Sequence, residues 1–86
     1  MSTITVEQIR MARAALGWTL EVMGKECDVS ARTLRRIESE GGLSKATQAN
    51  LRLIRSTLEE AGIEFIGDAA EGPGVRLWRQ AAPKTK

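Results

Sequence analysis

Thr19-Leu20-Glu21-Val22-Met23-Gly24-Lys25-Glu26-Cys27-Asp28-Val29-Ser30-Ala31-Arg32-Thr33-Leu34-Arg35-Arg36-Ile37-Glu38 holds two helix starts in quick succession. Thr19 is an N-cap candidate for a helix through about Cys27, because its hydroxyl can accept one of the unsatisfied N–H groups of a first turn. Val22, Met23 and Cys27 are its expected buried face, with Trp18 packing at the entry. Asp28-Val29 reads as a short turn. Ser30 then caps a second helix through about Glu38, with Leu34 and Ile37 pointing inward. The second helix is short and basic, and only about three residues separate it from the first.

N-terminal to this stretch, Thr5-x-x-Gln8 is a capping box, and Ile4 with Ile9 forms a hydrophobic staple across it. Val6, Ile9, Ala12 (or Arg13) and Leu16 recur at helical spacing up to Gly17, which predicts a helix over 6–16. On the other side, Ser39-Glu40-Gly41-Gly42 breaks the chain. Ser44 or Thr47 caps a fourth helix that ends before Gly62, with Leu51, Ile54, Leu58 and Ala61 inside. Beyond Gly62 the period changes to that of strands. Ile63–Ile66 and Val75–Arg79 alternate, and a glycine-rich, mobile connection separates them, which predicts a two-stranded antiparallel hairpin. Residues 80–86 read as a disordered basic tail. The expected architecture is mainly α: a helical domain over 1–62, a hairpin over 63–79 and the tail.

Composition restricts the chemistry. The 86 residues suffice for one core, and with three aromatic side chains that core must rest on Leu, Ile, Val, Ala and Met. Histidine is absent, which removes the commonest neutral-pH proton carrier and metal ligand, so no enzyme, metal site or cofactor is expected. The single cysteine, Cys27, excludes an internal disulfide and reads as a small buried apolar residue of a reducing cytoplasm. No apolar run reaches the length of a membrane span, and the N-terminus lacks a signal-peptide layout. The net charge of +2 hides an uneven distribution: six basic and two acidic side chains over residues 30–55 give +4, and each flank carries −1. A basic middle between acidic flanks suits a polyanionic partner.

Three stretches together carry a resemblance. They are Gln8-Ile9-Arg10-Met11-Ala12-Arg13-Ala14-Ala15-Leu16-Gly17-Trp18-Thr19, then Glu21-Val22-Met23, then Asp28-Val29-Ser30-Ala31-Arg32-Thr33-Leu34-Arg35-Arg36-Ile37-Glu38. Over roughly residues 5–62 the chain resembles the Cro and phage-repressor-like (XRE) helix-turn-helix regulators. The tail from Ala61 to Leu77 looks like that of short bacterial members. The resemblance implies a four-helix, lambda-repressor-like fold that binds double-stranded DNA through residues 30–38, in the cytoplasm and on the nucleoid.

By that similarity Ala31, Arg32 and Arg36 face bases, with Thr33 and Arg35 bordering them. The chemistry agrees, since arginine pairs bidentately with guanine O6 and N7, and an alanine methyl can meet a thymine methyl. Thr19, Ser30, Ser39, Ser44, Lys45 and Gln48 are candidates for phosphate contact from helix N-termini and short polar groups. Arg13 and Glu38 match a structural ion pair of the family. Three residues depart from its pattern: Leu20 stands for a glutamine that braces a phosphate, Gly24 for an alanine, and Asp28 for a turn glycine.

A two-stranded hairpin is marginal alone, so residues 63–79 must pack on something. Ile63, Phe65, Val75 and Leu77 fall on one face and are expected to cover the core, while Ile66 and Trp78 fall on the other. That second pair is the candidate contact of a homodimer, whose two-fold operator would have half-sites roughly 34 Å apart. The leading expectation is a repressor that blocks polymerase. The alternative is an antitoxin or anti-activator gripping a protein partner with the same fold. No small-molecule effector is inferred.

Overall fold

The computed structural model describes residues 4–39 and 46–78. They form four helices, α1 (Val6–Leu16), α2 (Leu20–Cys27), α3 (Ala31–Glu38) and α4 (Gln48–Glu60), then strands β1 (Ile63–Ile66) and β2 (Gly74–Leu77). This is the expected mainly α fold with a C-terminal hairpin.

Local chemistry sets each boundary. At α1 the Gln8 N–H donates to Thr5 Oγ1 (3.1 Å) while Gln8 Oε1 accepts the Thr5 N–H (2.9 Å), and Gly17 ends the helix at φ 71°. Thr19, Ser30 and Thr47 each accept the N–H three residues on and so start α2, α3 and α4. Thr47, the second of the two expected caps, therefore begins α4; Ser44 lies outside the described residues. Asp28 ends α2 in the left-handed region at φ 60°, a conformation that asparagine and aspartate adopt more readily than other side-chain-bearing residues. Val29 then donates back to the Gly24 carbonyl at 3.0 Å, closing the α2–α3 turn.

The core gathers Ile4, Ile9 and Ala12 from the first helix and its entry, and Met23, Cys27 and Val29 from the second and its turn. Leu34, Ile37, Ile54, Leu58 and Ile63 complete it. The inner stripe of α2 differs from expectation: Val22 is 39% exposed, and Gly24 is buried in its place. Leu20, Met23, Gly24 and Cys27 follow the i, i+3, i+4, i+7 rule, and Val22 lies about 100° off Met23 around the axis. A Cβ on Gly24 would sit 2.6 Å from the Val29 carbonyl oxygen and 3.3 Å from the Ala31 nitrogen, so glycine permits α2 to lie closer to the turn than the family's alanine would. Leu20 packs part-buried against the core, so where glutamine would brace a phosphate this chain has an apolar contact. Burial pushes the Cys27 thiol above its ordinary pKa, which keeps it protonated and inert at neutral pH.

The hairpin pairs Ile63 with Leu77, Glu64 with Arg76, Phe65 with Val75 and Ile66 with Gly74. Phe65 and Val75 pack on the core and Ile63 is fully buried. Leu77, expected inside, is 46% exposed: Ile63 follows α4 directly and takes the buried place of that pair. One further hydrogen bond, Trp78 N–H to Gly62 O at 2.8 Å, extends the pairing past β2. In the connecting turn the Asp68 carboxylate accepts the N–H groups of Ala70 and Glu71 at 2.9 Å each. Arg79 and residues 80–86 lie outside the described residues.

Candidate nucleic-acid interface

α3 has one apolar face and one basic face. Leu34 and Ile37 are buried, Ala31 and Thr33 are half-buried, and Arg32, Arg35 and Arg36 are exposed. Among the described residues, the guanidinium groups of Arg32 and Arg36 have no hydrogen-bond or ion-pair partner. They lie one turn apart on the solvent side. Arg35 is different, because its Nη2 stands 3.7 Å from Glu21 Oε2 across the α2–α3 junction.

α1 fixes the far end of α3. Arg13 Nε and Nη2 donate to the two Glu38 carboxylate oxygens, each at 2.9 Å, a bidentate fork that matches both planar groups. Arg13 Nη1 also reaches the Trp18 carbonyl at 3.3 Å. Hydrogen bonding to Glu38 raises the Arg13 pKa above its ordinary value. The Glu38 side chain is only 8% exposed, against 27% for Arg13. Arg10 donates to the Glu38 backbone carbonyl, one of the acceptors left over at the end of a helix. The structure thus brings Arg13 and Glu38 together, and adds Arg10, which sequence reasoning missed.

The hydroxyl groups differ in what they leave available. Thr19 Oγ1 accepts from Val22 N–H at 3.1 Å, and its own hydrogen remains free to donate outward. Ser30 Oγ both accepts the Thr33 N–H (3.1 Å) and donates to Thr33 Oγ1 (2.8 Å), so Ser30 is committed to the cap while Thr33 keeps its own hydrogen. Ser39 turns its hydroxyl (2.5 Å) and its N–H (3.2 Å) onto the Arg36 carbonyl, which leaves it no donor for a phosphate. Gln48 opens α4, exposed and next to the Thr47 cap. Ser44 and Lys45 lie outside the described residues.

Ile66 and Trp78 are 36% and 38% exposed on the outer face of the hairpin, separated by Glu64 and Arg76. Glu64 Oε1 accepts from Arg76 Nη1 at 3.1 Å and from Trp78 Nε1 at 3.0 Å, and the Arg76 guanidinium lies 5.9 Å from the Trp78 ring centroid. The indole is therefore held in place while remaining partly open to solvent.

Two close-packed helices, a basic face on the second and a clamp on its far end define a DNA-binding module of the helix-turn-helix class. A helix-turn-helix family model (HTH_3) matches residues 9–63, and the chain belongs to that family, the Cro and phage-repressor (XRE) type. The family is one of DNA-binding transcription regulators and not of enzymes. No curated protein matches the chain. Among the described residues no helix is long and apolar enough to cross a membrane, and no group of three His, Cys, Asp or Glu side chains could hold a metal ion.

Proposed function

We propose that this DNA-binding regulator is a sequence-specific repressor that reads a two-fold operator as a homodimer, with α3 in the major groove. The observation that carries the reading is the state of Arg32 and Arg36: exposed, one turn apart, and without partners among the described residues. They stand on a helix whose other face is buried and whose end is clamped by α1. A rigid helix presenting two unpaired guanidinium groups suits bidentate pairing with guanines, with Ala31 and Thr33 beside them at the groove floor. Thr19, at the start of α2, and Gln48, at the start of α4, suit phosphates, which fix register and carry no sequence information. Ser30 contributes there by capping α3 and not as a side-chain donor, and Ser39, whose two donors both go to the Arg36 carbonyl, drops out of the phosphate set. The hairpin face with Ile66 and Trp78 supplies the subunit contact, and repression follows from blocking polymerase at the bound promoter.

The test is the affinity for a duplex selected from a random pool by the wild-type chain. Arg32→Ala or Arg36→Ala should each cost about 1–3 kcal/mol on that duplex and relax the preference at one base pair. Unchanged affinity and preference in both variants would place the readout elsewhere.

A further inference from the structure

Arg35 is the one α3 arginine that has an ion-pair partner among the described residues, and that partner sits at the start of α2. Glu21 is the second residue of α2, two residues beyond the Thr19 cap, at the positive end of that helix dipole. Around the α3 axis, Arg36 lies about 40° from Arg32, while Arg35 lies about 60° from Arg32 on the other side, toward Glu21. We propose that Glu21 offsets the charge of Arg35 beside the DNA, so that Arg35 adds little to sequence-independent attraction and base preference rests on Arg32 and Arg36. Glu21 is then a positioning residue that guards specificity, and this rests on α3 being the recognition helix.

The physical case is electrostatic. A free guanidinium at the rim of the groove would gain from any phosphate, whatever the sequence, and would raise affinity for all duplexes alike. With Glu21 Oε2 3.7 Å from its Nη2, it forms a pair with no net charge. Both side chains are well exposed, at 63% for Arg35 and 68% for Glu21, so the tie is weak in stability terms and can be removed without disturbing the fold.

The experiment compares the full-length chain and three variants, Glu21→Gln, Arg35→Ala and the double substitution, on two probes. One probe is the duplex enriched from a random pool by the wild type; the other is a mixed-sequence duplex of equal length. Glu21→Gln should tighten the mixed-sequence duplex by about three- to tenfold at low salt and steepen the salt dependence by about one phosphate's worth of counterion release. The ratio of selected to mixed affinity should fall accordingly. In the Arg35→Ala background the same Glu21→Gln change should alter mixed-duplex affinity by less than about twofold, since the released group is gone. An equal gain in both backgrounds would show that only a negative charge was removed, and no gain at all would show that Arg35 was never withheld; either result overturns the inference. If instead Arg32→Ala and Arg36→Ala leave base preference intact, the recognition helix is wrong, while the mixed-duplex cycle still judges the Glu21–Arg35 tie. Binding to neither probe overturns both.

Discussion

Glu38 ends α3 with its carboxylate almost out of water, and Arg13 supplies both of the donors that make this tolerable. The two partners are not equivalent. Removing Glu38 leaves an arginine that is 27% exposed and can turn to solvent, whereas removing Arg13 leaves a carboxylate that is 8% exposed with only Arg10, whose Nε stands 3.9 Å from Glu38 Oε1, to offset it. Arg13→Met should therefore cost about 2–4 kcal/mol in urea unfolding, between the values for exposed and buried pairs, and more than Glu38→Gln. Equal, small losses would mean that water screens the pair despite its burial. The partners are 25 residues apart, and no helical period brings them together. In the sequence the pairing was visible only through family resemblance, and the third member, Arg10, was not visible at all. Left-handed Asp28 is the opposite case, because a strained turn position leaves a local compositional mark between two helix signals.

Element boundaries were legible because caps are local. Thr5 with Gln8, Thr19, Ser30 and Gly17 each satisfy or terminate a helix within a few residues, so the start and stop positions need no knowledge of the rest of the fold. Tertiary roles were not legible. Gln8 shows both halves: its Oε1 completes the capping box, while its Nε2 donates to the carbonyls of Ile66 and Gly74, 2.9 Å each, and clasps the hairpin to α1. The same distance in sequence hid the exposure of Leu77, since nothing local says which member of the Ile63–Leu77 pair finds room inside. Gln8→Glu keeps the acceptor that completes the box but turns the two donor hydrogens into an oxygen facing two carbonyls. That change should cost about 1–3 kcal/mol, and amide exchange in β1 and β2 should speed up more than in α2 and α3. Uniform acceleration across the chain would show that the hairpin is not separately clasped.

At the scale of the whole molecule, charge and apolar surface divide the labour. Positive charge concentrates over residues 30–55 between acidic flanks, and among the described residues Ile66 and Trp78 are partly exposed on the hairpin's outer face. If a second copy covers that face, Trp78→Glu should shift sedimentation from dimer toward monomer, since it replaces a partly exposed ring with a charge; it also removes the indole's hydrogen bond to Glu64. An unchanged mass would take Trp78 out of the interface. The fold itself was legible at this scale, since four capped helices and a change to strand period leave few arrangements, but the partner of the hairpin face is written in no single chain. Reading of a two-fold operator by α3 through Arg32 and Arg36 is open to one decisive experiment, genome-wide selection of DNA fragments bound by the wild type and by Arg32→Ala/Arg36→Ala. A palindromic motif with half-sites one helical turn apart is expected for the wild type, and loss of its guanine positions in the double variant. A motif identical in both proteins, or fragments sharing no motif at all, would contradict it.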